Sequence, residues 1–488
     1  MKRRQSRTAD PMNAAGAILR IATLAVLASP VAACGQQLPA IERIEQRLMP
    51  RIVIRGEPPV TRSLSDRMTH YRIPAVSIAV MNGGKIEWAR AWGMADVADN
   101  RAATPATLFQ AASISKPVAA TAALVLTERG MLDLDADVNR YLRSWKLPPG
   151  EALGGDSVTV RRLMSHSAGL TVHGFPGYAR SATIPSTAGV LDGQGNTDPV
   201  RVDLKPGTQW RYSGGGYTVL QMLLADLTGK PFAQLMRELV LQPAGMASST
   251  YEQPLPEARW REAATGYRDD GRPVEENWHV YPEQAAAGLW TTPTDLAKWG
   301  LAILAAADGA EGGPLSPDMA RRMLEPGLNH QGLGPAIGPM GRFFGHGGSN
   351  EGFRCQLVVF RDGRGAAVMT NSDRGGALVP EILATLAEEY GWPDFKAVER
   401  PVAAVPVERL AALAGTYRVE GQPPDLVITV DGGRVYAEAA GVLRRTELLT
   451  ESDTVLFTRD EGITFQFERE GDRVTAVRVM GRRAIRLP

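Results

Sequence analysis

The chain has 488 residues, 44% of them apolar, with 54 lysines and arginines against 53 aspartates and glutamates and a formal net charge of +1. That content suffices for a large core and more than one domain, and the interspersed charge offers no basic stripe for nucleic acid. Two cysteines, Cys34 and Cys355, exclude a disulfide scaffold and a cysteine-based zinc site, and the six histidines are scattered without metal-site spacing, so neither metal nor other cofactor is expected.

The N-terminus reads as an export signal. Lys2, Arg3 and Arg4 form a positive region, and the apolar stretch from Ile21 to Ala28 is too short to span a bilayer. Val31-Ala32-Ala33-Cys34-Gly35 resembles a bacterial lipobox, which implies a lipid anchor on Cys34 and a mature chain that begins there. Cleavage near Ala33 without lipidation is the alternative. Residues 1–33 are therefore expected as a signal peptide, and the protein as exported, in the periplasm or cell envelope, and held at the membrane by lipid.

An amphipathic helix is expected near 40–70. Ala75–Met81 and Lys85–Trp92 pattern as a hairpin about Asn82-Gly83-Gly84. The stretch from Ser113 to Arg129 predicts a helix closed by Gly130, with Pro117 tolerable only in its first turn. Residues 171–208, rich in Gly, Pro and Ser, are too long for a plain connector and predict a lid or substrate-contacting segment. Helical patterns recur at 217–228, 232–241 and 293–307. A strand Phe353–Phe360 follows, in which Cys355 reads as a buried packing residue, then a turn at Asp362-Gly363 and a helix near 377–390. Strands early, helices in the middle and strands late predict an α/β domain over 34–395 whose sheet pairs both ends of the domain. Residues 396–410, with Pro401 and Pro406, read as a linker. Residues 411–488 turn to short alternating strands around Asp431-Gly432-Gly433 and Glu470-Gly471-Asp472, a compact antiparallel barrel or sandwich with no catalytic constellation.

Chemistry concentrates in three segments. In Ser113-Ile114-Ser115-Lys116 the serine and lysine lie three apart at a helix start, nearly one turn, so the amine sits where it can take the hydroxyl's proton. Lys116 is the only lysine with a serine three positions before it. Tyr212, in Trp210-Arg211-Tyr212-Ser213-Gly214-Gly215-Gly216-Tyr217, precedes another helix and could share that proton. The small residues of Gly345-His346-Gly347-Gly348-Ser349-Asn350 would let a substrate approach the backbone, whose N–H groups can hold an oxyanion. Taken alone, Tyr212 reads better as a partly buried aromatic with its hydroxyl satisfied, and the His346 loop as a glycine-rich turn with a solvated histidine.

Together these motifs resemble the serine β-lactamase and penicillin-binding-protein superfamily, specifically the class C β-lactamase-like serine hydrolases. Ser113–Lys116 matches the family's Ser-x-x-Lys, Tyr212-Ser213-Gly214 its Tyr-x-Asn, and His346-Gly347-Gly348 its Lys/His-x-Gly. Leu163–Leu170, Gln242–Met246 and Ala287–Ala297 resemble its framework signatures, in the family's order. The resemblance implies an antiparallel sheet flanked by helices, an all-helical subdomain and an appended β-barrel-like domain. It implies further that Ser113 forms an acyl-enzyme with Lys116 and Tyr212 as shared base, and that the N–H groups of Ser113 and Ser349 form the oxyanion hole. Gly214, His346, Gly347 and Gly348 would contact substrate, His166 would be structural, and Ser115 would pack or hydrogen-bond. Gly214 stands where the family has an asparagine for the substrate's acylamide, and His346 stands where class C enzymes have lysine. Both departures argue against efficient β-lactam hydrolysis. Restoring asparagine at 214 is expected to improve amide-bearing substrates. The expected activity is hydrolysis of a small-molecule or peptide ester or amide, of esterase or D-amino-acid peptidase type. A non-catalytic or acylation-only penicillin- or peptidoglycan-binding protein is the alternative.

Overall fold

The computed structural model describes residues 39–488 except 420, 421 and 441. Cys34 and the expected signal peptide lie outside the described residues. The central sheet has seven strands, in the spatial order Arg101–Ala102, Lys85–Asp96, Ala75–Asn82, Gly365–Thr370, Phe353–Phe360, Phe343–Asn350 and Ala336–Ile337. Every pairing in it is antiparallel, and Ala75–Asn82 lies directly against Gly365–Thr370, so the sheet does join both ends of the domain.

Central strands are buried on both faces, which explains why they read as nearly unbroken apolar runs. Along Ala75–Asn82, Val76, Ile78 and Val80 point to one face, where they meet the helices Leu64–Tyr71 and Gly375–Glu389. Ala75, Ala79 and Met81 point to the other, toward the helices Ser115–Glu128, Gly214–Thr228 and Pro293–Ala307. The two helices on the first face are tied by a buried ion pair, since Arg67 Nε donates to Glu381 at 2.8 Å and Tyr71 joins the same carboxylate.

Three expectations change. The single helix near 40–70 is two, Ala40–Gln46 and Leu64–Tyr71, separated by the strand Ile52–Ile54; Pro50, Gly56, Pro58 and Pro59 interrupt any continuous helix. The helix at 232–241 is α-helical over Phe232–Met236 and continues as a π-helix over Arg237–Leu241. The segment 396–410 carries a strand, Val398–Arg400, parallel to Ile52–Ile54, and the start of a helix, Val407–Ala411.

The last eight strands, Gly415–Val419 through Arg482–Arg486, close into an antiparallel barrel. Its interior is filled by Tyr417, Ile428, Val435, Leu456, Phe465 and Phe467, so it is a packed core rather than a ligand cavity. Phe457 packs on Ile52 and Ile54, while Asp460 approaches Arg67 at 3.6 Å and His70 at 3.2 Å. The barrel thus rests on the sheet face opposite the helices Ser115–Glu128 and Gly214–Thr228, which follow Ser113 and Tyr212.

Candidate active site

Ser113 sits in a 3-10 turn, Ala112–Ile114, that leads straight into the helix Ser115–Glu128. The turn is sharp: Ala112 has φ +49°, a conformation that costs a non-glycine residue energy and must be held by its surroundings. It is held on three sides. Ala111 N–H donates to Leu289 O at 2.8 Å, and Cys355 Sγ lies 3.1 Å from Ala111 O. Ser115 Oγ donates to Ala112 O and accepts from Leu289 N–H at 3.0 Å. Ser115 is therefore a scaffold hydroxyl, and Cys355 is buried packing as expected, with burial pushing its thiol up to about 12.

Lys116 is 2% exposed, and its Nζ donates to Ser113 Oγ at 3.0 Å and to Ala286 O at 2.8 Å. No carboxylate pairs with it among the described residues. Tyr212 faces the same amine with its ring, whose centroid is 4.9 Å from Nζ, rather than through a hydrogen bond from its hydroxyl. Behind Tyr212 lies His166, with ring centroids 4.3 Å apart, and His166 Nδ1 accepts from Ser213 N–H at 3.1 Å. Acceptance at Nδ1 assigns the proton to Nε2 in the neutral ring. Burial, then the Lys116 charge, holds His166 well below the ordinary histidine range, so it stays neutral. Sequence reading treated His166 as structural; the structure adds that it fixes Tyr212.

The third segment is the strand Phe343–Asn350. Gly348 pairs with Cys355 and comes so close to the Ser113 turn that a Cβ there would meet Ala111 O and Cys355 Sγ at 2.3 Å each. Only glycine allows this approach, which brings the adjacent Ser349 backbone to the mouth of the turn. Asn350 Nδ2 then donates to Gln110 at 2.8 Å and to Ala287 O at 3.1 Å, locking the strand to the chain on both sides of the site. His346 Nδ1 lies 2.5 Å from Gly347 O. Desolvation, and next the Lys116 ammonium, push its imidazole down to about 4.

Ser113, Tyr212, His346, Gly347, Gly348 and Ser349 line one open cleft, together with His173, Gly174, Phe175 and Trp210 on one side and Gly376, Val379 and Pro380 on the other. Lys116 lies beneath it. Gly214 is the exception among the expected contact positions: it is buried and does not line the cleft. A Cβ at Gly214 would lie 2.9 Å from Phe175 Cε2 and 3.0 Å from His173 O, so asparagine cannot be accommodated there without moving Phe175. The expected gain from Gly214→Asn alone is corrected accordingly. The segment 171–208 does reach the cleft, through residues 173–175. It is pinned by Gly214 N–H to His173 O at 3.0 Å and by Arg180, whose guanidinium lies between Trp260 and Trp278 at 4.1 and 4.7 Å. Ala286 O and Phe175 have no signal in the sequence, and Asn350 shows there only as the end of the His346 segment, since each acts by tertiary placement.

A family model described as Beta-lactamase matches residues 60–389. The chain is 24% identical over 414 residues to penicillin-binding protein 4* of Bacillus subtilis (strain 168), covering 80% of this chain and 89% of that one. It is 27% identical over 320 residues to a D-aminopeptidase of Brucella anthropi, of which it spans 58%, using 63% of its own length. It is 33% identical over 197 residues to esterase EstB of Burkholderia gladioli, which is 38% of this chain and 48% of that one. Among solved structures, an octameric penicillin-binding protein homologue from Pyrococcus abyssi matches with TM-score 0.59 and 23% identity over 87% of this chain and 98% of that chain. D-alanine carboxypeptidase AmpC from Burkholderia cenocepacia matches with TM-score 0.51 and 22% identity over 66% and 96%. At such identities the structural likeness speaks to the fold alone.

Proposed function

The chain belongs to the beta-lactamase family and is a serine hydrolase; from that premise we propose that Ser113 is its nucleophile and that it hydrolyses an ester or amide through an acyl-enzyme. One observation carries this reading: Lys116, buried and without a carboxylate partner among the described residues, is hydrogen-bonded to Ser113 Oγ at 3.0 Å. In its unprotonated form the amine at that position can accept the hydroxyl proton as Oγ adds to the substrate carbonyl. The tetrahedral oxyanion is received by the N–H groups of Ser113 and Ser349. Its collapse expels the alcohol or amine, which takes the proton back from the Lys116–Tyr212 pair, and water then attacks the acyl carbon by the same route. Tyr212 shares the proton once substrate brings a hydroxyl or amine between its oxygen and Lys116. His346, held neutral by its surroundings, offers no cation to a β-lactam carboxylate, which supports weak β-lactamase activity at most. We propose in addition that the protein is exported and lipid-anchored through Cys34, on the sequence of residues 1–35.

A fluorophosphonate probe and a fluorescent penicillin should label wild type and not Ser113→Ala. Failure of both to label folded wild type would remove the nucleophile assignment. Labelling by penicillin with no turnover of any p-nitrophenyl ester would instead mark an acylation-only protein. The anchor is tested by metabolic labelling with an alkyne fatty acid, comparing wild type with Cys34→Ala.

A further inference from the structure

The cleft above Ser113 is walled by aromatic and aliphatic side chains. Phe175 and Trp210 join Tyr212 on one side, and Val379 and Pro380 stand on the other. Among the described residues no aspartate or glutamate lines it, and the one guanidinium that does, Arg354, is held by Asp373 at 2.9 Å. A charged acyl group would meet mostly ring and aliphatic surface here, and the nearby Lys116 amine is already engaged by Ser113 Oγ and Ala286 O. An apolar chain would instead exchange water for ring and aliphatic surface, an effect of about fourfold in affinity per buried methylene.

Phe175 reaches the cleft because position 214 has no side chain. Gly214 N–H donates to His173 O at 3.0 Å, drawing residues 173–175 against the helix that follows Tyr212. The Phe175 ring then covers Gly214, with Cε2 at the 2.9 Å distance a Cβ would have to it, and also packs on the main core. One edge of the ring is thereby fixed, leaving another facing the cleft.

We propose that Phe175 is a specificity-determining residue that selects uncharged substrates with an apolar acyl group. This rests on the reading of Ser113 as nucleophile. The cleft then favours esters of apolar acids over substrates with a free ammonium or carboxylate in the acyl group.

The test compares kcat/KM for the p-nitrophenyl esters of acetic and butyric acid and the p-nitrophenyl monoester of succinic acid, which share a leaving group. Wild type should prefer butyrate to acetate by about fifteenfold, two methylenes' worth, and butyrate to succinate by more. Phe175→Ala should lower the butyrate-to-acetate ratio to about twofold or less, whereas Phe175→Leu should retain most of it. An unchanged rate of fluorophosphonate labelling in each variant would show that Ser113 and the fold are intact. Labelled wild type with a flat acyl profile, or a Phe175→Ala variant that labels normally and loses all three esters equally, would overturn this proposal alone. No labelling of wild type would overturn the nucleophile reading and this proposal with it.

Discussion

Replacing Glu283 by glutamine should abolish a pH-dependent loss of stability in the floor of the site. Glu283 has no exposed surface, and neither carboxyl oxygen has a hydrogen-bond partner. Its backbone position is fixed by Gln221, which donates to Pro282 O at 2.9 Å and accepts from Ala285 N–H at 3.0 Å. Burial pushes the carboxyl from 4.5 up to about 7. The unfolded chain releases this proton near 4.5 while the folded chain keeps it, so stability falls as pH rises from 4.5 to 7 and is flat above. At 1.36 kcal/mol per pH unit the loss is about 3 kcal/mol. Urea unfolding of wild type and Glu283→Gln between pH 4.5 and 8, followed by tryptophan fluorescence, measures it. All nine tryptophans lie between Trp88 and Trp392, so the signal reports the sheet domain and not the barrel. The stability difference should shift toward the variant by about 3 kcal/mol up to pH 7 and then stay constant. A difference independent of pH would refute the argument, because contributions of every other group cancel between the two proteins.

Other expectations concern the cleft and its supports. Gly348→Ala must displace the Ser113 turn or Cys355 by about 1 Å and should lower kcat on a p-nitrophenyl ester about 100-fold with the fold intact by circular dichroism; activity near wild type would mean the close approach is not needed. With His346 pushed down to about 4, its imidazole stays neutral from pH 5.5 to 8, so His346→Gln should keep the wild-type pH profile of kcat in that range. Loss of an inflection near 6.5 in the variant would contradict this. Arg180→Ala removes a cation held between two indoles, worth about 2 kcal/mol where desolvated, and should speed proteolytic cleavage within 171–208, with Arg180→Lys restoring only part of the protection.

Local rules made much of the architecture legible. The hairpin about Gly83 and Gly84, the helix after Ser113 and the Ser113–Lys116 contact all follow from periodicity, turn chemistry and helical spacing within a few residues. Residues 40–70 show the limit of the same rules, because apolar spacing there suggests one helix while Pro50, Pro58 and Pro59 divide it in two. Gly214 was legible as a departure but not as a cause. Its meaning depends on Phe175, 39 positions earlier in a stretch with no periodicity, whose packing no local pattern encodes. Likewise the acceptor for Lys116 is a backbone carbonyl, Ala286 O, which any residue type would supply.

The pairing of Met81 with Gly365 carries a consequence for biosynthesis. About 280 residues must be made between the two strands before the sheet can close, and contacts so distant in sequence form slowly and late. The Ser113 turn and the Gly348 strand both lie within that interval, one near its start and the other near its end. A nascent chain therefore holds Ser113, the proposed nucleophile, without the Ser349 backbone proposed to receive the oxyanion. Such a hydrolase is latent by topology until its last sheet strands are in place, with no propeptide required to keep it silent.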